Sequence, residues 1–153
     1  KYFPSDWKLD IYGAGQEFNN LSEFSNDNIR INDYLERKEL EYVTKEIPFA
    51  LICLDYEITF EGFPGKTFDY LNMNKVLINF SNPNSVVSKL IDKYGLGFNI
   101  DLKNPESLRG KLENMKNTNE ISKILENIKY FQQRVSNKEI AFKSYLELIS
   151  SSS

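Results

Sequence analysis

Short apolar runs that alternate with amphipathic ones constrain this chain more than any other feature. "WKLDIYG" (7–13), "IRIN" (29–32), "FALICL" (49–54), "KVLINF" (75–80) and "GFNI" (97–100) read as strands. Between them lie helical patterns. "EFNNLSEF" sets Phe18, Leu21 and Phe24 on one side, and "ERKELEYVTKEI" turns Leu40 and Val43 inward before Pro48 stops it. A further helix starts near Gly65 and runs to about Met73. "NSVVSKLIDKYG" takes Asn84 as its cap and Gly95 as its stop. Strands joined through helices predict an α/β fold, a Rossmann-like, doubly wound and mostly parallel sheet. "FALICL" and "KVLINF" carry the apolar density of strands covered on both faces.

Beyond the fifth strand the pattern becomes helical. "NPESLRGKLENM" opens with Asn104 as cap and Pro105 in the first turn. "EISKILENIKYFQQRV" brings Ile121, Ile124, Leu125, Ile128 and Phe131 to one face, and "NKEIAFKSYLELI" supplies a last helix. Residues 105–149 are thus a helical C-terminal part of one domain covering 1–153, a one-domain length.

Charge and residue usage exclude several functions. A net charge of -3 offers no general attraction to nucleic acid or anionic lipid. No apolar run approaches the length of a transmembrane helix. Cys53 is the single cysteine, so no internal disulfide forms and a reducing, cytoplasmic compartment is the simpler setting. Set inside an apolar strand, it reads as a buried, inert thiol. The chain has no histidine, so any catalysis rests on carboxylates, lysine, tyrosine, backbone dipoles or the substrate itself. No acidic cluster of the DxD type suggests a metal.

One stretch does not look like packing. "FEGFPGKTFDYL" (60–71) places Glu61 before a Gly62-Phe63-Pro64-Gly65 turn, then Lys66, Thr67 and Asp69. Gly62 and Gly65 let the backbone turn tightly and approach a ligand. A helix beginning at Gly65 leaves the amides of Gly65, Lys66 and Thr67 as donors at its positive end, an anion site suited to phosphate, with the Lys66 charge beside it. Asp69, about one turn in, is an acceptor suited to a ribose diol. Glu61, ahead of the turn, suits sugar hydroxyls. Acid, phosphate cradle and acid in this order match a nucleotide diphosphate sugar. A surface turn with Asp69 complementing the helix dipole is the structural alternative.

From Trp7 to about Leu108 the chain resembles the C-terminal, donor-binding half of retaining GT-B glycosyltransferases. "WKLDIYGAGQE" is similar to a strand and glycine turn of that half, "IPFALICLDYEITFEGFPGKTFDYLNMNKVLINF" to its acid-x7-acid region and next strand, and "YGLGFNI" to its last strand. "PGKTFDYL" is similar to members that build bacterial surface polysaccharides. The resemblance implies a nucleotide diphosphate sugar donor, a UDP-sugar foremost, and transfer to a sugar or lipid-linked acceptor. It implies a catalytic, sugar-contacting Glu61 and donor binding by Gly13, Gly62, Phe63, Gly65, Lys66, Thr67 and Asp69. Tyr34, after "IRIN", stands where such folds hold the base. The family usually carries Glu at the second acid, and Asp69 is one methylene shorter. The scheme needs no metal or other cofactor. The leaving phosphate helps deprotonate the acceptor, so the lack of histidine is no obstacle.

The family's half opens with one more strand, and an acceptor-binding half precedes it. The chain is therefore expected to be a piece of a longer enzyme, inactive alone. That enzyme would be cytoplasmic or peripheral at the inner face of the membrane. A gap for the missing strand is expected between "KLDIY" and "FALIC". Two other functions fit less of the sequence. A non-catalytic binding module of the same fold would not need both Glu61 and Asp69. A dinucleotide-binding oxidoreductase would need G-x-G-x-x-G, and after Gly13 and Gly15 the third position is Phe18.

Overall fold

The computed structural model describes residues 5–59, 62–104 and 106–135. Glu61, Pro105, Tyr145 and the helix expected over 137–149 lie outside the described residues. The chain divides into two compact units, 1–47 and 48–153.

The first unit contains β1 (Leu9–Tyr12), α1 (Phe18–Ser22), β2 (Ile29–Asn32) and α2 (Arg37–Val43). β1 and β2 pair in parallel, with Leu9 opposite Ile29 and Tyr12 opposite Asn32. Asp10 and Arg30 face each other across this pair, and two guanidinium hydrogen bonds to the carboxylate hold the register. That contact raises the Arg30 pKa further. α2 starts with a reciprocal capping box between Glu36 and Glu39. Its charged face is solvated as expected, but Val43, expected inward, is 45% exposed. α1 is only five residues long and buries none of them, and Phe24 stands 67% exposed. No described residue of this unit is buried. A two-stranded sheet offers too little surface to cover the apolar sides of two short helices.

The second unit contains β3 (Phe49–Cys53), α3 (Gly65–Asn72), β4 (Val76–Ser81), α4 (Val86–Tyr94), β5 (Gly97–Asp101), α5 (Ser107–Asn114) and α6 (Thr118–Arg134). Its sheet has the order β3-β4-β5, with both pairs parallel. The protein is thus α/β with parallel sheets, compatible with a Rossmann-like fold. The strands form two hydrogen-bonded sheets, and among the described residues β1 and β3 are not paired with each other, as the gap expected between "KLDIY" and "FALIC" requires.

β4 is central, and Val76, Leu77, Ile78, Asn79 and Ser81 are all buried. β3 is an edge strand, and here the expectation of burial on both faces fails. Ile52 is buried, but Leu51 is 36% exposed and Cys53 is exposed. The strand alternates, so one face meets the helices while the other is open. Cys53 is therefore no core residue, although desolvation still pushes its thiol pKa up.

The core joins Ile52, Leu71, Val76, Leu77, Val87, Ile91 and Leu96 to Ile124, Ile128 and Phe131 of α6. Phe49 and Phe98 pack half-buried against it. Tyr94 meets Phe131 edge-to-face at 5.1 Å. Tyr130, one position before it, faces outward at 59% exposure. α6 also caps its neighbours. Gln132 Nε2 donates to the Leu71 carbonyl of α3 at 2.6 Å, and Asn127 Nδ2 to the Gly95 carbonyl after α4 at 3.1 Å. The Leu71 carbonyl also accepts from the Asn74 amide at 2.9 Å, so Gln132 adds a second bond at that helix end.

Two helix starts differ from the expected ones, while α3 begins at Gly65 as expected. Ser85, not Asn84, caps α4 and accepts from the Ser88 amide, because Asn84 is drawn into a turn closed by the Asn82 side chain. α5 begins at Ser107 after Glu106, beyond the expected Asn104 cap. Gly95 ends α4 in the left-handed conformation, as expected.

Candidate functional site

α3 and α4 each lead from the carboxyl end of one parallel strand back to the amino end of the next. Both helix starts therefore open on the carboxyl edge of the sheet, where ligands of such folds sit. Pro64, extended and lacking an N–H, precedes α3. Phe63 before it packs edge-to-face on Phe68 at 5.5 Å. Phe63 and Phe68 occupy the N′ and N4 positions of a hydrophobic staple, which sets the angle at which the chain enters the helix. The structure gives Phe63 this packing role, and the N′/N4 spacing around Pro64 was the sequence signal for it.

The expected three amides reduce to two. The Thr67 amide donates to the Pro64 carbonyl at 2.9 Å, because the chain closes a tight turn as the helix begins. Among the described residues, Gly65 and Lys66 keep uncommitted amides. Lys66 is exposed, and its ammonium is unpaired among the described residues. The Thr67 side chain is wholly buried, and its hydroxyl has no hydrogen-bond partner. It forms the floor of the helix start rather than its open side. Neither Gly62 nor Gly65 has a positive φ, so the turn itself does not require glycine. A Cβ at either would meet nothing within 4 Å, so the space before the helix is open.

Asp69 is half-buried, four residues after Gly65 and so on the same helix face. Its side chain leans toward the helix start, as helical side chains do. Burial, then the charge of Asp69, raises the pKa of neighbouring Tyr70, which is a neutral phenol at neutral pH. Gly62, Phe63, Gly65, Lys66, Thr67 and Asp69 thus gather about one helix start. Gly13 and Tyr34 belong to the first unit: Gly13 follows β1 and Tyr34 is exposed after β2.

Sequence reasoning missed the rest of the carboxyl edge. The loop after β3 turns at Asp55, whose carboxylate accepts from the Glu57 amide at 2.9 Å. The Asn82 side chain, after β4, donates to the Tyr56 carbonyl at 3.0 Å and accepts from the Asn84 amide at 2.9 Å. Lys103, after β5, sets its ammonium 4.0 Å from the centre of the Tyr56 ring.

Beneath this rim lies a buried polar cluster. Asn79 Nδ2 lies 2.8 Å from Ser81 Oγ, 3.0 Å from Ser88 Oγ and 2.9 Å from Asn99 Oδ1. Asn99 in turn donates to the Ser88 carbonyl and to Asp92. Ser81, Ser85 and Ser88 hydroxyls lie within 3.1 Å of one another. Asn79 Oδ1 is buried without a partner. Among the described residues no group of His, Cys, Asp and Glu could hold a metal ion, and no helix is long and apolar enough to cross a membrane. The chain matches no protein-family model, and comparisons with curated proteins and with solved structures find no match.

Proposed function

We propose that the chain is the donor-binding part of a GT-B-type glycosyltransferase, taking a nucleotide diphosphate sugar, a UDP-sugar foremost, at the start of α3. The observation that carries this reading is the convergence of two uncommitted amides, the unpaired Lys66 and the Asp69 carboxylate on one helix start at the carboxyl edge of a parallel sheet. Amides and a cation suit a diphosphate, and a carboxylate one turn deeper suits a ribose diol. The Gly65 and Lys66 amides and the Lys66 ammonium would stabilise the charge that grows on the leaving phosphate as the glycosyl bond breaks. Glu61 is proposed for the sugar on the sequence resemblance alone.

Calorimetric titration of the 153-residue chain with UDP and with UDP-glucose tests this. Asp69→Ala removes charge-assisted hydrogen bonds of about 1.5–3 kcal/mol, so UDP should bind about 10- to 100-fold more weakly. Glu61→Ala should leave UDP affinity unchanged and erase the additional affinity contributed by the sugar. If both variants bind both compounds as the wild type does, the site assignment is wrong.

A further inference from the structure

We infer that Lys103, braced on the ring of Tyr56, is a second cation of the anion site, reaching the diphosphate from the β5 side. The inference rests on the reading just given, that a nucleotide diphosphate binds at the start of α3.

Lys103 lies two residues past the end of β5, and Tyr56 three residues past the end of β3. In a parallel sheet both ends lie at the same edge. Neighbouring strands are about 4.8 Å apart, so β3 and β5 are separated by roughly 10 Å across β4. The contact between Lys103 and Tyr56 spans that gap. Lys103 is exposed, and its ammonium is laid across the end of β4 onto the Tyr56 ring, in the loop that leads into α3.

Both ends of the contact are fixed by backbone geometry. The Lys103 amide donates to Asp101 Oδ1 at 2.8 Å, and the Asn104 amide to the Asp101 carbonyl at 2.9 Å, closing the turn after β5. On the other side, Asn82 holds the Tyr56 carbonyl, and the Asp55 turn sets the loop. Of the carboxylates nearest in sequence, Asp55 and Asp101 each accept from a backbone amide of their own turn, and Glu57 is exposed. The Lys103 ammonium has neither an ion pair nor a hydrogen-bond acceptor among the described residues; its attraction is to the ring face. A cation on an aromatic face keeps donors for an anion. The same edge carries Lys66 and the positive ends of two helices beside the carboxylates of Asp55, Glu57 and Asp101, so Lys103 adds positive charge where the helix starts open. A phosphate is the ligand chemistry that such donors suit.

The test is calorimetry on the full chain with UDP, inorganic pyrophosphate and uridine, at low and high salt. Lys103→Met should weaken UDP and pyrophosphate about tenfold and leave uridine unchanged, narrowing the gap between UDP and uridine. It should also flatten the salt dependence of UDP binding. Lys103→Arg should restore both. Tyr56→Leu, which removes the brace and keeps the charge, should weaken UDP by a smaller factor. Melting temperatures of the same preparations check the fold. If Lys103→Met binds UDP as the wild type does while Asp69→Ala does not, this inference fails and the donor-site reading stands. If the wild type binds neither UDP nor pyrophosphate, both fail.

Discussion

Gly97→Ala is expected to destabilise the second unit by about 3–5 kcal/mol, enough to leave much of the chain unfolded at ambient temperature. Gly97 opens β5 with φ +158°, and a Cβ there would lie 2.0 Å from the Leu77 carbonyl oxygen and 2.7 Å from the Leu77 carbonyl carbon. Those atoms are backbone of the central strand, paired to β5 through the same residues, so no side-chain rotation relieves the clash. Either β5 shifts away and loses its pairing with β4, or β4 distorts among its buried neighbours. Gly95→Ala is the control. It is also left-handed, but its nearest obstacle is the flexible Asn127 side chain. That change should cost about 1–2 kcal/mol, the ordinary penalty of a left-handed alanine. Urea unfolding of both variants measures the difference, and equal midpoints would refute the role given to the Leu77 backbone.

Asn79→Ala has the second largest expected effect, about 3 kcal/mol by the same measurement. Asn79 is fully buried in β4 and faces its register partner Asn99. The substitution leaves Asn99 Oδ1 without its donor, removes a donor from Ser81 and Ser88, and opens a void beside them. Asn79→Asp should be worse, because a carboxylate would face the Asn99 oxygen with no cation within the cluster. The unpartnered Asn79 Oδ1 shows that the cluster is not fully satisfied even in the native chain. Its cost is consistent with a register device: a one-residue slip of β4 would turn Asn79 from the serine cluster into apolar neighbours.

What could be read from the sequence follows the range of the physics involved. Gly95 and the apolar spacing of α6 act within a few residues, and the elements they mark stand close to where those signals put them, whereas α2 ends at Val43, short of the stop expected at Pro48. The start of α3 at Gly65 was legible for the same reason. Its third amide was not, since commitment to the Pro64 carbonyl depends on how tightly the turn closes. "FALICL" misled because apolar content fits a strand with one covered face as well as one with two; sheet order decides, and β3 stands at an edge. Asn79 was hidden inside "KVLINF", where a lone amide looks like noise in an apolar run. Lys103 and Tyr56 meet only because three parallel strands end together, a relation no local pattern carries.

The first unit has no buried residue among those described, whereas β4 is buried along nearly its whole length. Opening β1 or α2 exposes little apolar surface that water does not already touch, so small fluctuations suffice to free their amide protons. The amides of β4, paired on both sides and covered on both faces, are released only when the whole second unit opens. Solvent hydrogen would therefore replace amide hydrogen first in 5–47 and last in 76–81, and Gly65 and Lys66 at the start of α3, whose amides are uncommitted among the described residues, would exchange early despite lying beside the most protected strand.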